Sequence, residues 1–289
     1  MTAGAFRIRS RRDAAARALF VFLLVLGFGF LFCKFTNARP RQLPGSCAVP
    51  LFRVGEQLRY RVDWQRYTGA AYAELDVVDR GSFFGAEAWH FRASVHTAEP
   101  ARALFPVDDE ADSYARLAGL ASFRYREHFD EAGKPEDTYA ELISSGDSSG
   151  APWTRIIVPE DTHDPISAIY ALRQMDWQHR SEARIPLYDG EDLYEMVAQN
   201  SGAEETSVEA GQYSATKIVI RLLENGREVP DEHFTLWLAK DAVETPVRMD
   251  AHLPLGNLRV ELTSAEQAEN KRSEWPITLP RRSSLPAGN

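Results

Sequence analysis

The stretch LRYRVDW, residues 58–64, indicates the fold class because its side chains alternate strictly between apolar and charged. One face carries the apolar members, Leu58, Tyr60, Val62 and Trp64. A period of two is typical of a strand with one face in the core and the other in water. The same alternation recurs in AWHFRASV (88–95), SFRYREHF (122–129), ATKIVIRLL (215–223), HFTLWLAKD (233–241), PVRMDAHL (246–253) and NLRVEL (257–262).

Turn signals separate these runs, and Asn225-Gly226 is the strongest hairpin signal among them. Because each run has one wet face, the strands are expected to pair antiparallel rather than in a parallel sheet that is buried on both faces. About eleven to thirteen strands can be read along the chain, which is more than one flat sheet holds before it curls. The predicted fold class is therefore mainly β, a strongly curved antiparallel sheet of half-barrel or barrel-like form.

One segment, DPISAIYALR at residues 164–173, breaks the alternation and predicts a short central helix. Asp164 is a good N-cap acceptor, and Pro165 suits the first helical position because its missing N–H would be unpaired there anyway. Apolar residues then recur at helical spacing. The helix is expected to fill the concave side of the sheet as core. The alternative is that it covers an apolar groove, with Tyr170 and Arg173 at its rim.

An apolar run, ALFVFLLVLGFGFLFC at residues 18–33, precedes the β-rich part and can cross a bilayer that thins locally. The residues at its end are bulky where a signal peptidase needs small side chains, so an uncleaved transmembrane anchor is expected over residues 18–35. Cleavage and export is the alternative. Five arginines precede the run, against three basic residues after it. The positive-inside bias predicts a single-pass inner-membrane protein with a cytoplasmic N-terminus and a periplasmic C-terminal domain.

Composition sets the remaining boundaries along the chain. We expect a basic cytoplasmic N-terminus at residues 1–17, a linker at 36–50, the antiparallel β domain at 51–265 and a polar, proline-rich, disordered tail at 266–289.

Charge and cysteine content argue against nucleic-acid binding, a disulfide and a thiolate metal site in the β domain. The first 50 residues carry a net charge of +7 and residues 266–289 carry +1, so the formal total of −9 leaves −17 on residues 51–265. Such a domain repels nucleic acid, which is therefore not expected as a partner. Both cysteines precede residue 51, so neither a disulfide nor a thiolate metal site is expected within the domain.

Motifs for catalysis and metal binding are weak. GDSSG at residues 146–150 matches the pattern G-x-S-x-G and makes Ser148 the candidate nucleophile of a serine hydrolase. That motif needs a strand, an elbow and a helix, whereas another strand-like run follows Gly150. His90 and His96 share one strand face but lie about 20 Å apart, too far to share one ion. We therefore expect no catalytic residue, no metal site and no cofactor.

Aromatic side chains suggest a binding function instead. If the concave face is not completely filled, an apolar or lipid ligand would lie there, as in other half-barrel carriers by analogy. The expected ligand-binding residues are Tyr60, Trp64, Trp89, Phe91, Tyr170 and Arg173. If a ring such as Trp237 instead projects from the wet face, it would stack on a sugar of an envelope glycan. A scaffold that pairs with an envelope protein through a sheet edge is the second class of function.

Six segments in this order resemble the bacterial family called domain of unknown function 3108, DUF3108. They are FRVGEQLRY (52–60), DPISAIYALR, the Asp189-Gly190 turn, Gly211-Gln212-Tyr213, LWLAKD (236–241) with Pro246-Val247 following, and GNLRVEL (256–262). The resemblance covers residues 51 to about 264 and implies an exported, β-rich envelope domain with no assigned catalytic residues. Many relatives have a plain export signal, so the anchor predicted here departs from the family pattern.

Overall fold

The computed structural model describes residues 50–131, 134–144, 152–254 and 256–267. The predicted anchor at 18–35, both cysteines, Ser148 and nearly all of the predicted tail lie outside these residues. Within the described stretches, no helix is both long and apolar enough to cross a membrane.

Thirteen strands account for most of the described chain and form one sheet. In chain order they are β1 Gln57–Trp64, β2 Tyr67–Phe83, β3 Ala86–Thr97, β4 Asp108–Arg116, β5 Ser122–Glu131, β6 Lys134–Ile143, β7 Thr154–Ile157, β8 Glu182–Tyr188, β9 Leu193–Val208, β10 Gly211–Glu224, β11 Arg227–Ala239, β12 Pro246–Leu253 and β13 Gly256–Glu266. A 3-10 turn spans Ala101–Ala103, and the single α-helix among the described residues, α1, spans Pro165–Arg173. The predicted mainly β fold with one short helix is confirmed.

The order of strands across the sheet is β7-β6-β5-β4-β3-β2-β1-β13-β12-β11-β10-β9-β8. Sequential strands therefore lie side by side, except that β7 and β8 form the two opposite edges. Strand β1 joins the two halves of the chain by pairing with β13. Neighbours pair antiparallel as predicted, except that β6 and β7 are parallel. A longer connection, residues 144–153, separates these two strands, so β7 re-enters the sheet in the same direction without a tight hairpin.

The sheet curls around α1, which contacts β3, β4 and β8, but strand pairing does not close it. The segment just before α1 links β5 to the edge strand β8. The carbonyl of Thr162 accepts a hydrogen bond from Ser122 N at the start of β5, at 2.9 Å. On the other side, His163 N donates to Pro186 O in β8, and Tyr188 N donates to His163 O, both at 2.9 Å. This link explains why α1 begins where it does, since the chain turns inward directly after His163.

Helix α1 starts with the predicted cap. Asp164 accepts a hydrogen bond from Ser167 N at 2.8 Å, and its other carboxylate oxygen accepts from Ser122 Oγ at 2.7 Å and from Ser113 Oγ. The cap therefore also fixes α1 to β4 and β5. Every residue of α1 is buried, including Ser167 and Arg173. The helix lies inside the curl and fills it as core, whereas a helix on a groove would keep one wet face.

Candidate functional site

The interior beneath α1 contains three of the predicted ligand-binding residues, Trp89, Phe91 and Tyr170. The rings of Phe91 and Tyr170 stack with centroids 4.1 Å apart. Phe52, from the segment before β1, packs edge-on against Tyr170 at 4.8 Å and Trp89 at 5.0 Å. All four side chains are at most 4% exposed. The rings contact one another, so this part of the concave face is filled by aromatic core.

Arg173, the last residue of α1, is completely buried rather than at the rim of a groove. Its guanidinium pairs with both carboxylate oxygens of Glu56, at 2.6 and 3.1 Å, and also donates to Val243 O at 3.1 Å. Tyr170 is equally buried, and its hydroxyl has no hydrogen-bond partner among the described residues. The rim placement of Arg173 and Tyr170 is therefore wrong, because a carboxylate from a distant segment neutralises the arginine inside the fold.

Tyr60 and Trp64 lie away from the aromatic core. The Tyr60 hydroxyl donates to Pro246 O at 2.9 Å, and burial raises the pKa of this phenol well above its ordinary value. Trp64 is half-buried at the far end of β1, where its ring meets Phe105 at 5.8 Å. The structure thus separates the six predicted residues into a packed cluster, a buried ion-pair partner, one residue at the cavity described next and one at the end of a strand.

A cavity of about 50 Å³ lies between α1 and the inner face of the sheet. Its walls are almost entirely apolar and come from both halves of the sheet. They include Tyr60, Ala93, Ile169, Leu236, Met249 and Val260. A single water needs about 10–15 Å³ by this measure, while sites for drug-sized ligands span about 300–1,000 Å³. The cavity therefore has room for a few methylene groups of an apolar chain.

Truncation of Ile169 to alanine should enlarge this cavity. We expect the free energy of unfolding to fall by about 2–4 kcal/mol, because apolar contacts are lost and the space is not refilled. Urea unfolding followed by tryptophan fluorescence measures the loss. Benzene should stabilise the variant more than the wild type, since a dry apolar cavity accepts it. A loss below about 1 kcal/mol would mean that Ile169 does not wall an apolar cavity.

A second buried feature is acidic and lies at the turn between β8 and β9. Glu127 and Asp189 are at most 5% exposed, and burial raises the pKa of both carboxyls well above the ordinary values. Glu127 accepts a hydrogen bond from Tyr125 Oη at 2.9 Å. Gly190 has φ +106°, and a Cβ at this position would lie 2.5 Å from a Glu127 carboxylate oxygen. The Asp189-Gly190 turn therefore requires glycine for both conformation and space.

In the four described ranges, no group of three or more His, Cys, Asp or Glu side chains is arranged to hold a metal ion.

Glu244, in the loop between β11 and β12, should make stability depend on pH. Burial, reinforced by Asp241 and opposed by Arg173, raises its pKa from 4.5 to about 7. The unfolded chain ionises this carboxyl near 4.5, so the folded state is disfavoured as pH rises from there to 7 and above. Glu244→Gln should therefore stabilise the protein at pH 8, on the order of 1 kcal/mol after solvent screening, and leave it unchanged at pH 4. Urea midpoints at the two pH values test this, and equal effects at both would contradict the assignment.

Trp237 lies on the outer face of β11, but it is only 3% exposed and is therefore not open for stacking on a sugar. The Lys217 ammonium lies 5.2 Å and the Arg248 guanidinium 4.4 Å from its ring centroid. Both cations come from the neighbouring strands β10 and β12, where they are directly opposite Trp237 in register. The ring is therefore covered by two cations, an arrangement that alternation along β11 alone does not reveal.

Sequence reasoning missed several residues that build this region. Phe52 and Glu56 precede β1 and have no periodic signal of their own, although both lie in the segment FRVGEQLRY. Met249 lies on the apolar side of an alternating strand, but alternation does not say which apolar residues border empty space. The outer face of β2 to β6 also carries a group of aromatic rings that alternation alone did not single out.

Solved structures resemble this chain at very low sequence identity. A crystal structure of a beta-barrel-like protein of domain of unknown function DUF1849 from Brucella abortus is 10% identical, with a TM-score of 0.51 over 76% of this chain and all of that one. A predicted lipoprotein from Parabacteroides distasonis and a predicted exported protein with YmcC-like fold from Bacteroides fragilis are each 9% identical over 75% of this chain. They cover 98% and 97% of their own chains, with TM-scores of 0.35 and 0.34.

No curated protein matches the chain. The family model described as "Protein of unknown function (DUF3108)" matches residues 59–263, from the first strand to the last. Because this match spans well over half of the sequence, the chain belongs to the DUF3108 family.

Proposed function

We propose that this protein is a non-catalytic domain of the cell envelope that receives the end of an acyl chain between α1 and the curved sheet. The observation that carries the proposal is the apolar cavity walled by Ile169 and Met249. Glu74 and Arg248 are also among the lining residues, but almost all of the surface that the cavity exposes is apolar. Burying a methylene group against that surface gains about 0.8 kcal/mol. The volume limits the bound part to the last few carbons, with the polar head remaining outside.

Membrane attachment places such a ligand within reach. The apolar segment at residues 18–35 anchors the chain in the inner membrane, with its N-terminus in the cytoplasm and the β domain in the periplasm. The −17 charge of residues 51–265 keeps the domain surface away from anionic headgroups. Protease accessibility in spheroplasts tests the topology, since a β domain protected from externally added protease would contradict it.

Photolabelling of the full-length protein in its membrane tests the ligand. The probe is palmitate with a diazirine near its methyl end. We expect labelled peptides that contain Ile169 and Met249, because the probe carbon lies between them. Labelling confined to residues 18–35 would overturn the proposal, since the probe would then report only the bilayer.

Two matched alanines provide the control for this experiment. Ala93 and Ala111 face each other in register on β3 and β4, and both are buried on the inner face. Ala93 borders the cavity, whereas Ala111 does not. Ala93→Val should reduce labelling at Met249 several-fold, and Ala111→Val should leave it unchanged. Equal reductions would show that general repacking, not occupancy of the cavity, controls the signal.

A scaffold function is the second candidate, favoured by the edge strand β7. It forms one end of the sheet, and Ile157 is 76% exposed there. The opposite edge, β8, contains Pro186 and is partly paired with His163, so it is less suited to adding a strand. Photocrosslinking from position 157 in cells tests this function. Position 104 is the control, since Leu104 is equally exposed away from β7; equal crosslinking at both positions would contradict pairing at the edge.

A further inference from the structure

Aromatic rings gather on the water-facing side of the sheet, well apart from the interior cavity. We call this group the aromatic patch and define it by Phe83, Phe84, Tyr114, Tyr139 and Trp153. The Phe84 ring lies 5.0 Å from that of Tyr114 and 5.3 Å from that of Trp153, and the Trp153 ring lies 5.4 Å from that of Tyr139. All five side chains are partly or largely exposed. The rings form a continuous surface across β2, β4 and β6 and the residue before β7.

Phe84 is the most exposed member of the patch and is held in an unfavourable conformation. Its side chain is 51% exposed, and its φ is +53°, in the left-handed region that a bulky residue rarely adopts. Gly85 follows with φ +83°. An aromatic ring in water and a strained backbone both oppose folding, and such strain is concentrated at functional sites. The contacts of its ring with Tyr114, Trp153 and Arg124 offset part of this cost, yet about half of the residue stays exposed to water.

The two arginines in the patch are paired with carboxylates of neighbouring side chains. The Arg124 guanidinium lies between the rings of Phe84 and Trp153, 4.1 and 4.5 Å from their centroids, and donates to Glu141 at 3.0 Å. Arg126 lies 5.7 Å from the Tyr139 ring and pairs with Asp137 and Asp112, each at 3.3 Å. The patch thus combines apolar rings, fixed donors and fixed acceptors without excess charge, within a domain of net charge −17.

Such a surface matches an uncharged, hydroxyl-rich partner. Sugar rings with equatorial substituents present flat C–H faces to aromatic rings, while their hydroxyls reach donors and acceptors at the edges. Binding of a phosphate-rich polymer requires free cations. The arginines Arg124 and Arg126 already have carboxylate partners, so the patch does not favour such a polymer. We propose that the aromatic patch binds a neutral β-1,4-linked glycan strand, with Phe84 and Trp153 as the stacking residues. This binding is independent of acyl-chain binding in the interior.

Titration of the full-length protein in detergent with chitohexaose, followed by calorimetry, tests the proposal. We expect saturable binding that weakens at least tenfold in Phe84→Ala and in Trp153→Ala, which corresponds to about 1.4 kcal/mol or more of lost binding free energy. Tyr67→Ala is the matched control, because Tyr67 is also 51% exposed but lies on the β1–β2 hairpin. It should bind as the wild type does. Circular dichroism confirms that each titrated variant is folded.

Three outcomes would overturn the proposal. One is the absence of saturable binding by the wild-type protein, and another is equal binding by Phe84→Ala and Tyr67→Ala. The third is preference for an acidic oligogalacturonate over chitohexaose, because charge and not stacking would then select the ligand. A photocrosslink from position 84 to an envelope protein, together with no chitohexaose binding, would assign the patch to a protein partner instead. None of these results affects the palmitate labelling of the interior.

Discussion

Replacement of Arg173 by alanine is expected to lower the free energy of unfolding by about 3–5 kcal/mol, because it leaves the carboxylate of Glu56 buried and unpaired. The two side chains are at most 1% exposed, and the pair is bidentate. It ties three segments together, namely the end of α1, the chain before β1 and the loop before β12 through Val243 O. Urea unfolding of the full-length protein in mild detergent, followed by tryptophan fluorescence, measures the change.

A double substitution separates the unpaired charge from general loss of packing. Arg173→Met with Glu56→Leu removes both charges and retains comparable volume, so most of the stability should return. If the double variant is as unstable as Arg173→Ala, packing and the contact to Val243 dominate and the electrostatic account is wrong. A loss below about 1 kcal/mol in the single variant would show that the pair is accessible to water.

Truncation of Phe91 to alanine is the second large effect, with an expected loss of about 3–5 kcal/mol. Its ring has no exposed surface, stacks on Tyr170 at 4.1 Å and packs edge-on against Phe52 at 5.4 Å. The variant leaves a cavity between β3 and α1, so α1 should also lose protection from amide hydrogen exchange. Chemical denaturation measures the stability and exchange followed by mass spectrometry measures the local effect.

Two comparisons define what the Phe91 result means. Phe91→Leu should cost less than about 1.5 kcal/mol, because most of the buried volume remains. Tyr72→Ala, on the outer face of the adjacent strand β2, should change stability by no more than about 0.5 kcal/mol, since its side chain is 44% exposed. If Phe91→Ala were no worse than Tyr72→Ala, the aromatic cluster would not be the centre of the core.

Much of the fold follows from short-range pattern. The alternation in LRYRVDW identifies β1 because inward and outward positions exchange at every residue of a strand. Asn225-Gly226 identifies the β10–β11 hairpin, and both residues have positive φ, as a tight hairpin turn requires. Asp164 and Pro165 identify the start of α1 through hydrogen bonding and fixed φ, which depend on neighbouring residues only.

The sequence pattern predicted less of the candidate site than of the fold. Trp89, Phe91 and Tyr170 could be assigned to the concave side, yet whether they border a cavity or fill one depends on Phe52, which enters from outside any periodic segment. Trp237 could be assigned to the wet face, yet its coverage by Lys217 and Arg248 depends on the register of three strands. The presence of a cavity and the covering of a ring by neighbouring side chains both depend on packing between distant segments. The periodicity of one strand does not contain that information.

The strands and the capped helix follow from the sequence alone, because alternation and capping depend on residues close in the chain. The curvature follows from the number of strands. Three features depend instead on contacts between distant segments. Strand β7 joins β6 in parallel, residues 162–163 link β5 to β8, and Arg173 meets Glu56 across 117 positions of sequence. The range over which each interaction acts accounts for this difference. Backbone conformation and the amphipathic period depend on neighbouring residues. Burial of a charge and the shape of a cavity depend on which distant segments the folded chain brings together.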